Sequence, residues 1–161
     1  MEIYLIRHAD ALALGERGVT SDEERPLSEK GEADAESAAK AMQKRDIKLD
    51  RLFSSPLTRA RQTAEILVRV WARPELILEN CEDLEPGKKP RKLSKFLMKM
   101  GSEKIGLVGH MPHLGEFGGW LLGSKEIQVN IAKSGVCLIT CGDLPSKGLG
   151  ELQWLVTPDW Y

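Results

Sequence analysis

The sequence has few cysteines, no excess charge of either sign and no long hydrophobic run. Its three cysteines, Cys81, Cys137 and Cys141, form no C-x-x-C pair, and an odd number cannot all pair with one another. The sequence therefore predicts neither a disulfide framework nor a cysteine zinc knuckle, and we expect a reducing compartment. No apolar stretch is long enough to span a membrane, and no signal-peptide pattern precedes Arg7. We expect a cytoplasmic protein with no membrane partner.

The charge balance and the glycine pattern exclude two further classes of function. Lysine and arginine number 23 and aspartate and glutamate 24, so the net charge of −1 does not favour nucleic acid as a partner. The glycine-containing segments match no phosphate-loop motif, so nucleotide binding has no support. A preference for anions must therefore be local to one site.

Short apolar runs alternate with amphipathic segments along the 161 residues, which fit a single domain spanning residues 1–161. Strands are predicted at 3–6, 49–53, 76–78, 105–108, 136–140 and 152–156. Helices are predicted at 28–45, 55–71, 93–100 and 112–122, with Ser28 and Ser55 as N-caps of the first two. This alternation predicts a three-layer α/β/α sandwich with a mostly parallel central sheet. The polar segment 11–26 is a long connection, either a simple loop or a lid.

Charged and polar groups follow three of the predicted strands. Arg7 and His8 follow the first strand, Ser55 leads to Arg59 after the second, and His110 follows the strand at 105–108. Ligands in open α/β sheets bind beyond the carboxyl ends of the strands, so these groups converge on one site if the strands are parallel. Arg59 also lies in the first turn of its helix, where a cation is disfavoured unless an anion such as phosphate binds there. The alternative is a surface arginine that pairs with a carboxylate.

These residues lie in motifs that resemble those of the histidine phosphatase superfamily, also called the phosphoglycerate mutase-like family. The segment Leu5-Ile6-Arg7-His8-Ala9-Asp10 is similar to its Arg-His-Gly signature, with alanine in place of the glycine. RPLSEKG at 25–31, SPLTRARQTA at 55–64 and VGHMP at 108–112 are similar to the later motifs, in the family's order. Among members, the chain most resembles the SixA-type phosphohistidine phosphatases. The resemblance implies a phosphoglycerate mutase-like α/β fold.

The resemblance also implies a role for each matching residue. His8 would be the nucleophile that takes the phosphoryl group on a ring nitrogen, and Arg7, Arg59 and His110 would line the phosphate pocket as catalytic and substrate-binding groups. Guanidinium forks bind phosphate oxygens bidentately, so no metal or other cofactor is implied. Neighbouring cations would keep His8 neutral, and His110 would donate to phosphate as an imidazolium that the bound dianion stabilises. Arg25 would contact the pocket rim as a substrate-binding residue, or else pair with the acidic cluster just before it.

A general acid for an ester leaving group has no clear match to the family pattern. The candidates are Asp10, Glu82, Asp83 and Glu85, each of which could equally belong to a solvated loop. A protonated imidazole leaves more easily than an alkoxide, which needs a proton from a well-placed acid. The resemblance therefore implies a metal-independent phosphatase that acts on phosphohistidine in a signalling or phosphorelay protein, such as a histidine phosphotransfer domain.

Three other functions stay open at this point. The first is a broad phosphomonoesterase or mutase-like enzyme that acts on small phosphate esters, and the second is a non-catalytic phosphate-binding module. The third is a metallohydrolase built from His8, Asp10, His110 and His113, although two arginines nearby would repel a metal cation. The residues do not indicate an oligomeric state.

A run of cations lies in and after the short connection at 80–90. These cations are Lys88, Lys89, Arg91, Lys92, Lys95 and Lys99. A short connection leaves the pocket open, which suits a phosphorylated protein as substrate, and the cations would then meet an acidic partner. The alternative is an ordinary solvated face.

Overall fold

The strands and helices of the computed structural model, which describes residues 1–161, follow the predicted order. The strands are β1 (Glu2–Arg7), β2 (Arg51–Ser54), β3 (Leu78–Asn80), β4 (Lys104–Gly109), β5 (Val136–Cys141) and β6 (Gly150–Val156). The α-helices are α1 (Glu29–Lys44), α2 (Thr58–Trp71), α3 (Pro90–Met98) and α4 (His113–Leu121). None of these helices combines the length and the apolar content that crossing a membrane requires.

One six-stranded sheet has the strand order β3-β2-β4-β1-β5-β6. β1 and β2 both pair in parallel with β4, and β3 pairs in parallel with β2. The two antiparallel pairs, β1 with β5 and β5 with β6, lie at one side of the sheet, and the other three pairs are parallel, so the prediction of a mostly parallel sheet is confirmed. Because β1, β4 and β2 are adjacent and parallel, their carboxyl ends lie side by side. Arg7 is opposite Gly109 across one of these pairs, and Ser54 is opposite Val108 across the other.

Helices cover both faces of the sheet, which confirms the predicted three-layer α/β/α sandwich. Alternate residues of β1 belong to two different cores, because successive side chains of a strand point to opposite faces. Ile3 and Leu5 pack with buried residues of α3 and α4, whereas Tyr4 and Ile6 pack with buried residues of α1 and α2. β1 is therefore held on both faces, and it fixes the position of the residues that follow it.

The N-cap predictions for the first two helices have different outcomes. Ser28 caps α1, since its Oγ accepts a backbone hydrogen bond in the first turn at 3.0 Å. Ser55 does not cap α2, which begins at Thr58 and has Leu57 in the N-cap position. Ser55 Oγ instead lies 2.8 Å from His110 Nε2. Ser55 therefore bonds to a side chain at the end of a neighbouring strand, and its Oγ also accepts from Leu57 N at 3.4 Å, just before the helix.

The third strand lies two residues later than the apolar run at 76–78 predicts. β3 pairs only with β2, in a register that places Leu78 opposite Leu52. Leu76 is buried but belongs to the turn before the strand, because its N–H donates to Arg73 O at 3.0 Å. Pairing with β2, rather than apolar content, sets the position of this edge strand.

Candidate active site

The carboxyl ends of β1, β4 and β2 bring four of the predicted site residues together. His8 follows β1, His110 follows β4, and Arg59 is the second residue of α2, which follows β2. The centroids of the two imidazole rings are 5.0 Å apart. His8, Arg59 and His110 are buried, and Arg7 is half-buried at the end of β1. The structure therefore places these four residues as the strand-end pattern predicts.

His8 is held as a neutral imidazole with one free ring nitrogen. Its Nδ1 lies 2.7 Å from Ala9 O. A carbonyl oxygen only accepts hydrogen bonds, so Nδ1 carries the ring hydrogen and Nε2 keeps its lone pair. Burial, assisted by the charges of Arg59 and Arg7, lowers the pKa of His8 from 6.5 to about 4. Nε2 is therefore unprotonated near neutral pH and able to attack a phosphorus atom.

Two hydrogen bonds tie the backbone after His8 to α2. Ala9 N donates to Thr63 Oγ1 at 3.1 Å, and Thr63 Oγ1 donates to Arg59 O at 2.7 Å. Ala9 replaces the glycine of the family signature without strain, because its φ is not positive. Sequence reasoning misses Thr63, although its spacing of four residues from Arg59 places both on one face of the helix. The nucleophile candidate and the neighbouring arginine are thus linked through one side chain.

Arg7 is fixed by the turn that precedes β5. Its guanidinium donates to Ile131 O at 2.9 Å, and its backbone N–H donates to Gly135 O at 3.1 Å. In the same turn, Ser134 N donates to His8 O at 3.4 Å. Arg7 Nε is buried without a hydrogen-bond partner. An unpaired buried donor is destabilising, so an oxygen atom of a bound phosphate would stabilise the guanidinium by accepting from it.

Lys133, in the same turn, is a cation that sequence reasoning misses. Its Nζ donates to Asp10 Oδ1 at 2.5 Å, and the two side chains share a groove of about 530 Å³ with Arg7. Its charge also contributes to the low pKa of His8, for which burial is the largest cause. No local pattern identifies Lys133, because the pairing of β5 with β1 is what brings its turn to His8.

His110 is also buried, and it is neutral in the ligand-free protein, so an imidazolium would form only with a bound phosphate dianion. Its Nε2 lies 2.8 Å from Ser55 Oγ, and its Nδ1 is buried without a partner. Burial, together with His8 and Arg59, lowers the pKa of His110 from 6.5 to about 3. When the Ser55 hydroxyl donates to Nε2, Nδ1 carries the ring hydrogen and can donate it to a phosphate oxygen. A neutral His110 is therefore still able to bind phosphate as a hydrogen-bond donor.

Asp22 joins Arg59 to Arg25. Arg59 donates to Asp22 O at 2.6 Å and to its Oδ2 at 3.1 Å, and Arg25 donates to Oδ1 at 2.9 Å. The hydrogen bond from Arg25 and the charge of Arg59 lower the pKa of the Asp22 carboxyl group, so Asp22 stays ionised at neutral pH. Of the two alternatives for Arg25, the structure shows the ion pair with the acidic cluster. Asp22 pairs with both arginines and so connects Arg25 to Arg59. Sequence reasoning misses this bridging role of Asp22.

The long connection at 11–26 borders the site rather than standing apart from it. Thr58 N, at the start of α2, donates to Glu23 O at 3.0 Å. Arg25 Nε donates to Leu12 O at 2.6 Å, which ties the two ends of the connection together. These hydrogen bonds fix the connection against the site, where its Asp22 contacts Arg59.

Asp10 is ionised rather than ready to donate a proton. Its carboxylate accepts from Lys133 Nζ at 2.5 Å and from Ser28 Oγ at 2.7 Å. These two hydrogen bonds lower the pKa of Asp10 below its usual value. Asp10 therefore forms an ion pair with Lys133, and an ionised Asp10 is a poor candidate for the general acid.

The other candidate acids lie near the site without bonding to its imidazoles. Glu85 Oε1 lies 4.0 Å from Lys88 Nζ, Glu82 is exposed and Asp83 is half-buried. Of the three, Asp83 is the one whose charge acts on His113, the buried first residue of α4. No carboxyl group forms a hydrogen bond with either site imidazole. None of these three carboxyl groups is therefore fixed by a hydrogen bond to His8 or His110.

The residues named for a metallohydrolase do not form a ligand set. No group of three or more His, Cys, Asp or Glu side chains is arranged to hold a metal ion. His113 is buried at the start of α4, and neither of its ring nitrogens has a hydrogen-bond partner. Asp10 is bound to Lys133 instead. The metal-dependent alternative therefore has no ligand cluster to support it.

Both site imidazoles are expected to stay neutral well below the pH at which an ordinary histidine takes up a proton. The expected midpoints in the ligand-free protein are about 4 for His8 and about 3 for His110, against 6.5 for an unperturbed ring. The unfolded chain binds these protons at higher pH, so the protein should also lose stability as the pH falls from 6.5 toward 4. Titration of the labelled ring nitrogens by NMR measures the midpoints. A midpoint near 6.5 for either ring would contradict the burial described above.

Known proteins share sequence patterns and the fold with this chain. A family model described as the histidine phosphatase superfamily (branch 1) matches residues 3–88. An uncharacterized protein of Picosynechococcus sp. is 31% identical over 170 residues, covering 99% of this chain and 98% of that protein. The structure of the protein histidine phosphatase SixA complexed with tungstate has a TM-score of 0.86 at 23% identity, covering 99% and 98% of the two chains. The alpha-ribazole phosphatase from Shigella flexneri has a TM-score of 0.71 at 16% identity, covering 98% and 97%. The two solved structures therefore share the fold of this chain.

Proposed function

The chain belongs to the histidine phosphatase superfamily, and we propose that it is a metal-independent phosphatase that removes phosphoryl groups from phosphohistidine in signalling or phosphorelay proteins. The observation that carries the proposal is a neutral, anchored His8 beside two arginines, with no carboxyl group bonded to either site imidazole. Such a site can attack phosphorus, and it suits a leaving group that departs without a strong general acid. A phosphoramidate is the phosphoryl donor that places the least demand on a general acid.

The first chemical step is attack of His8 Nε2 on phosphorus, in line with the leaving nitrogen. The P–Nε2 bond forms while the P–N bond of the substrate breaks, and the electron pair passes to the leaving ring nitrogen. A proton on the other nitrogen of the substrate ring lets the imidazole leave uncharged. Arg7 and Arg59 donate to phosphate oxygens and balance their negative charge, and His110 Nδ1 adds a third donor.

The second step transfers the phosphoryl group from His8 to water. Water attacks phosphorus, the P–Nε2 bond breaks, and its electron pair returns to Nε2 as inorganic phosphate forms. The water loses a proton to the phosphate or to the solvent. The hydrogen bond between Nδ1 and Ala9 O keeps the ring in one orientation through both steps. The cycle therefore ends with His8 in its starting tautomer.

The proposed substrate class predicts a strong preference for phosphohistidine over an alkyl phosphate ester. A general acid contributes on the order of 10² to 10⁴ in rate, so we expect kcat/KM to be at least about 100-fold higher for a phosphohistidine peptide than for a phosphoserine peptide of the same sequence. Release of inorganic phosphate with a chelator present measures both rates. Equal rates on the two peptides, or loss of activity with the chelator, would contradict the proposal.

A second candidate function is hydrolysis of small phosphate esters, and the position of Asp83 favours it. Asp83 is half-buried, and its charge acts on His113, three residues after His110. As a general acid, Asp83 would give its proton to an ester leaving group. In that case Asp83→Asn would lower ester hydrolysis and leave phosphohistidine hydrolysis unchanged.

A further inference from the structure

α3 and the residues directly on either side of it carry positive charges and no negative ones. Residues 86–102 contain six lysines and arginines and no aspartate or glutamate. We call this surface the basic face of α3, defined by Lys88, Lys89, Arg91, Lys92, Lys95 and Lys99. All but Lys88 are exposed and form no ion pair, whereas most lysines and arginines elsewhere in the chain are paired. The positive charge of this face is therefore not neutralised within the protein.

The cations at the start of α3 do not favour the stability of the helix, whereas Lys95 lies in its last turn, where a cation is stabilising. Arg91 and Lys92 lie in the first turn of α3, which contains no acidic residue. Its N-cap residue, Lys89, makes no side-chain capping bond. Cations are disfavoured at a helix N-terminus, where a carboxylate would be stabilising. The first part of the basic face thus departs from what helix stability favours, and a negatively charged ligand bound there would compensate for this.

The basic face begins beside the candidate active site. Cys81 N, directly after β3, donates to Ser54 O at 2.8 Å, so the chain leaves the sheet at the site edge. A Cβ added to Gly109, the residue before His110, would lie 3.5 Å from Leu84 O. The Cα of Lys89 is five residues from that of Leu84 and therefore within about 18 Å of it. A protein that placed a phosphorylated side chain on His8 would extend over this distance.

We propose that the basic face of α3 docks an acidic surface on the protein whose phosphohistidine enters the site. The inference rests on the proposed function and adds the chemistry of the partner. Complementary charge raises the rate of association, and salt screens it. The basic face should therefore act on kcat/KM at low ionic strength, and it should leave the chemical steps unchanged.

Two phosphohistidine peptides of equal length test the docking surface. One carries glutamates around the phosphohistidine, and the other carries serines in the same positions. At low salt we expect the wild-type protein to prefer the glutamate peptide by about tenfold in kcat/KM, and about 0.5 M salt to reduce the preference to less than about twofold. The triple variant K89Q/R91Q/K92Q should lose the preference at low salt and keep the wild-type rate on the serine peptide.

A matched control separates this surface from net charge. Lys44, Lys125 and Lys147 are exposed and unpaired, and K44Q/K125Q/K147Q removes the same three charges elsewhere. That variant should keep the preference, and equal loss in both triple variants would overturn the proposal. Rapid hydrolysis of both peptides without preference would overturn the docking surface alone, whereas hydrolysis of neither would overturn the proposed function as well. Binding to anionic lipid vesicles that depends on Lys89, Arg91 and Lys92, with no peptide preference, would assign the face to membranes and contradict docking.

Discussion

Replacement of His8 by asparagine is expected to lower kcat on a phosphohistidine peptide by at least about 10⁴-fold. Asparagine approximates the size of the inner half of the ring but has no basic nitrogen with which to attack phosphorus. The remaining groups would still bind phosphate, because Arg7, Arg59 and His110 keep their own contacts. Steady-state kinetics measures the loss of turnover, and calorimetry with inorganic phosphate measures the binding that should persist.

The control for His8 is the third histidine of the chain. His113 is as buried as the site imidazoles, but neither of its ring nitrogens forms a hydrogen bond. His113→Asn should therefore keep turnover within about threefold of wild type. The substitution changes the packing around residue 113 but removes no hydrogen bond to another residue. If His8→Asn retained turnover comparable to that of His113→Asn, His8 would not be the nucleophile.

Replacement of Arg59 by alanine is expected to lower kcat/KM by about 10³-fold, the loss typical of removing a charged donor from a phosphoryl-transfer site. Arg59 is buried beside His8, and Asp22 holds it through its carbonyl and carboxylate oxygens. Guanidinium has five N–H donors, so the groups not bound to Asp22 remain for phosphate. Arg59→Lys keeps the charge but loses the planar fork, and we expect it to recover activity to within about 10²-fold of wild type.

Arg61 provides a matched control on the same helix. Its guanidinium donates to Glu65 and Asn80 on the exposed side of α2. Arg61→Ala removes a charge two residues away and should change kcat/KM by less than about threefold, because exposed ion pairs contribute little. Equal effects of the two alanine variants would show that Arg59 acts through the net charge of the protein or the stability of α2. They would contradict direct hydrogen bonding of Arg59 to phosphate.

The positions of the site residues can be predicted from sequence because they depend on strand direction. An apolar strand followed directly by His8, and another followed by His110, needs only parallel pairing to bring the two rings together. β1 and β4 do pair in parallel, with Arg7 opposite Gly109. The three-layer fold is predictable for a related reason, since the apolar strands and amphipathic helices alternate along the chain. Short edge strands are less predictable, as the shift of β3 shows.

The electrostatic details could not be predicted, because they arise from residues far apart in the chain. Asp22 reaches Arg59 across 37 positions, and Asp10 reaches Lys133 across 123. Neither pair leaves a local pattern, since each depends on how a loop or turn packs against the finished sheet. The protonation of His110 depends on its burial, which spacing does not reveal. Ser55 has the sequence context of an N-cap and instead bonds to that imidazole.

Trapping the phosphorylated enzyme tests the central claim most directly. Excess protein is mixed with a phosphohistidine peptide for a single turnover and quenched in alkali, in which a P–N bond survives. Mass spectrometry then locates the phosphoryl group on the protein. We predict one acid-labile phosphoryl group on His8 of the wild-type protein and none on His8→Asn. A phosphoryl group on another residue, or release of phosphate by His8→Asn at the wild-type rate, would contradict the account.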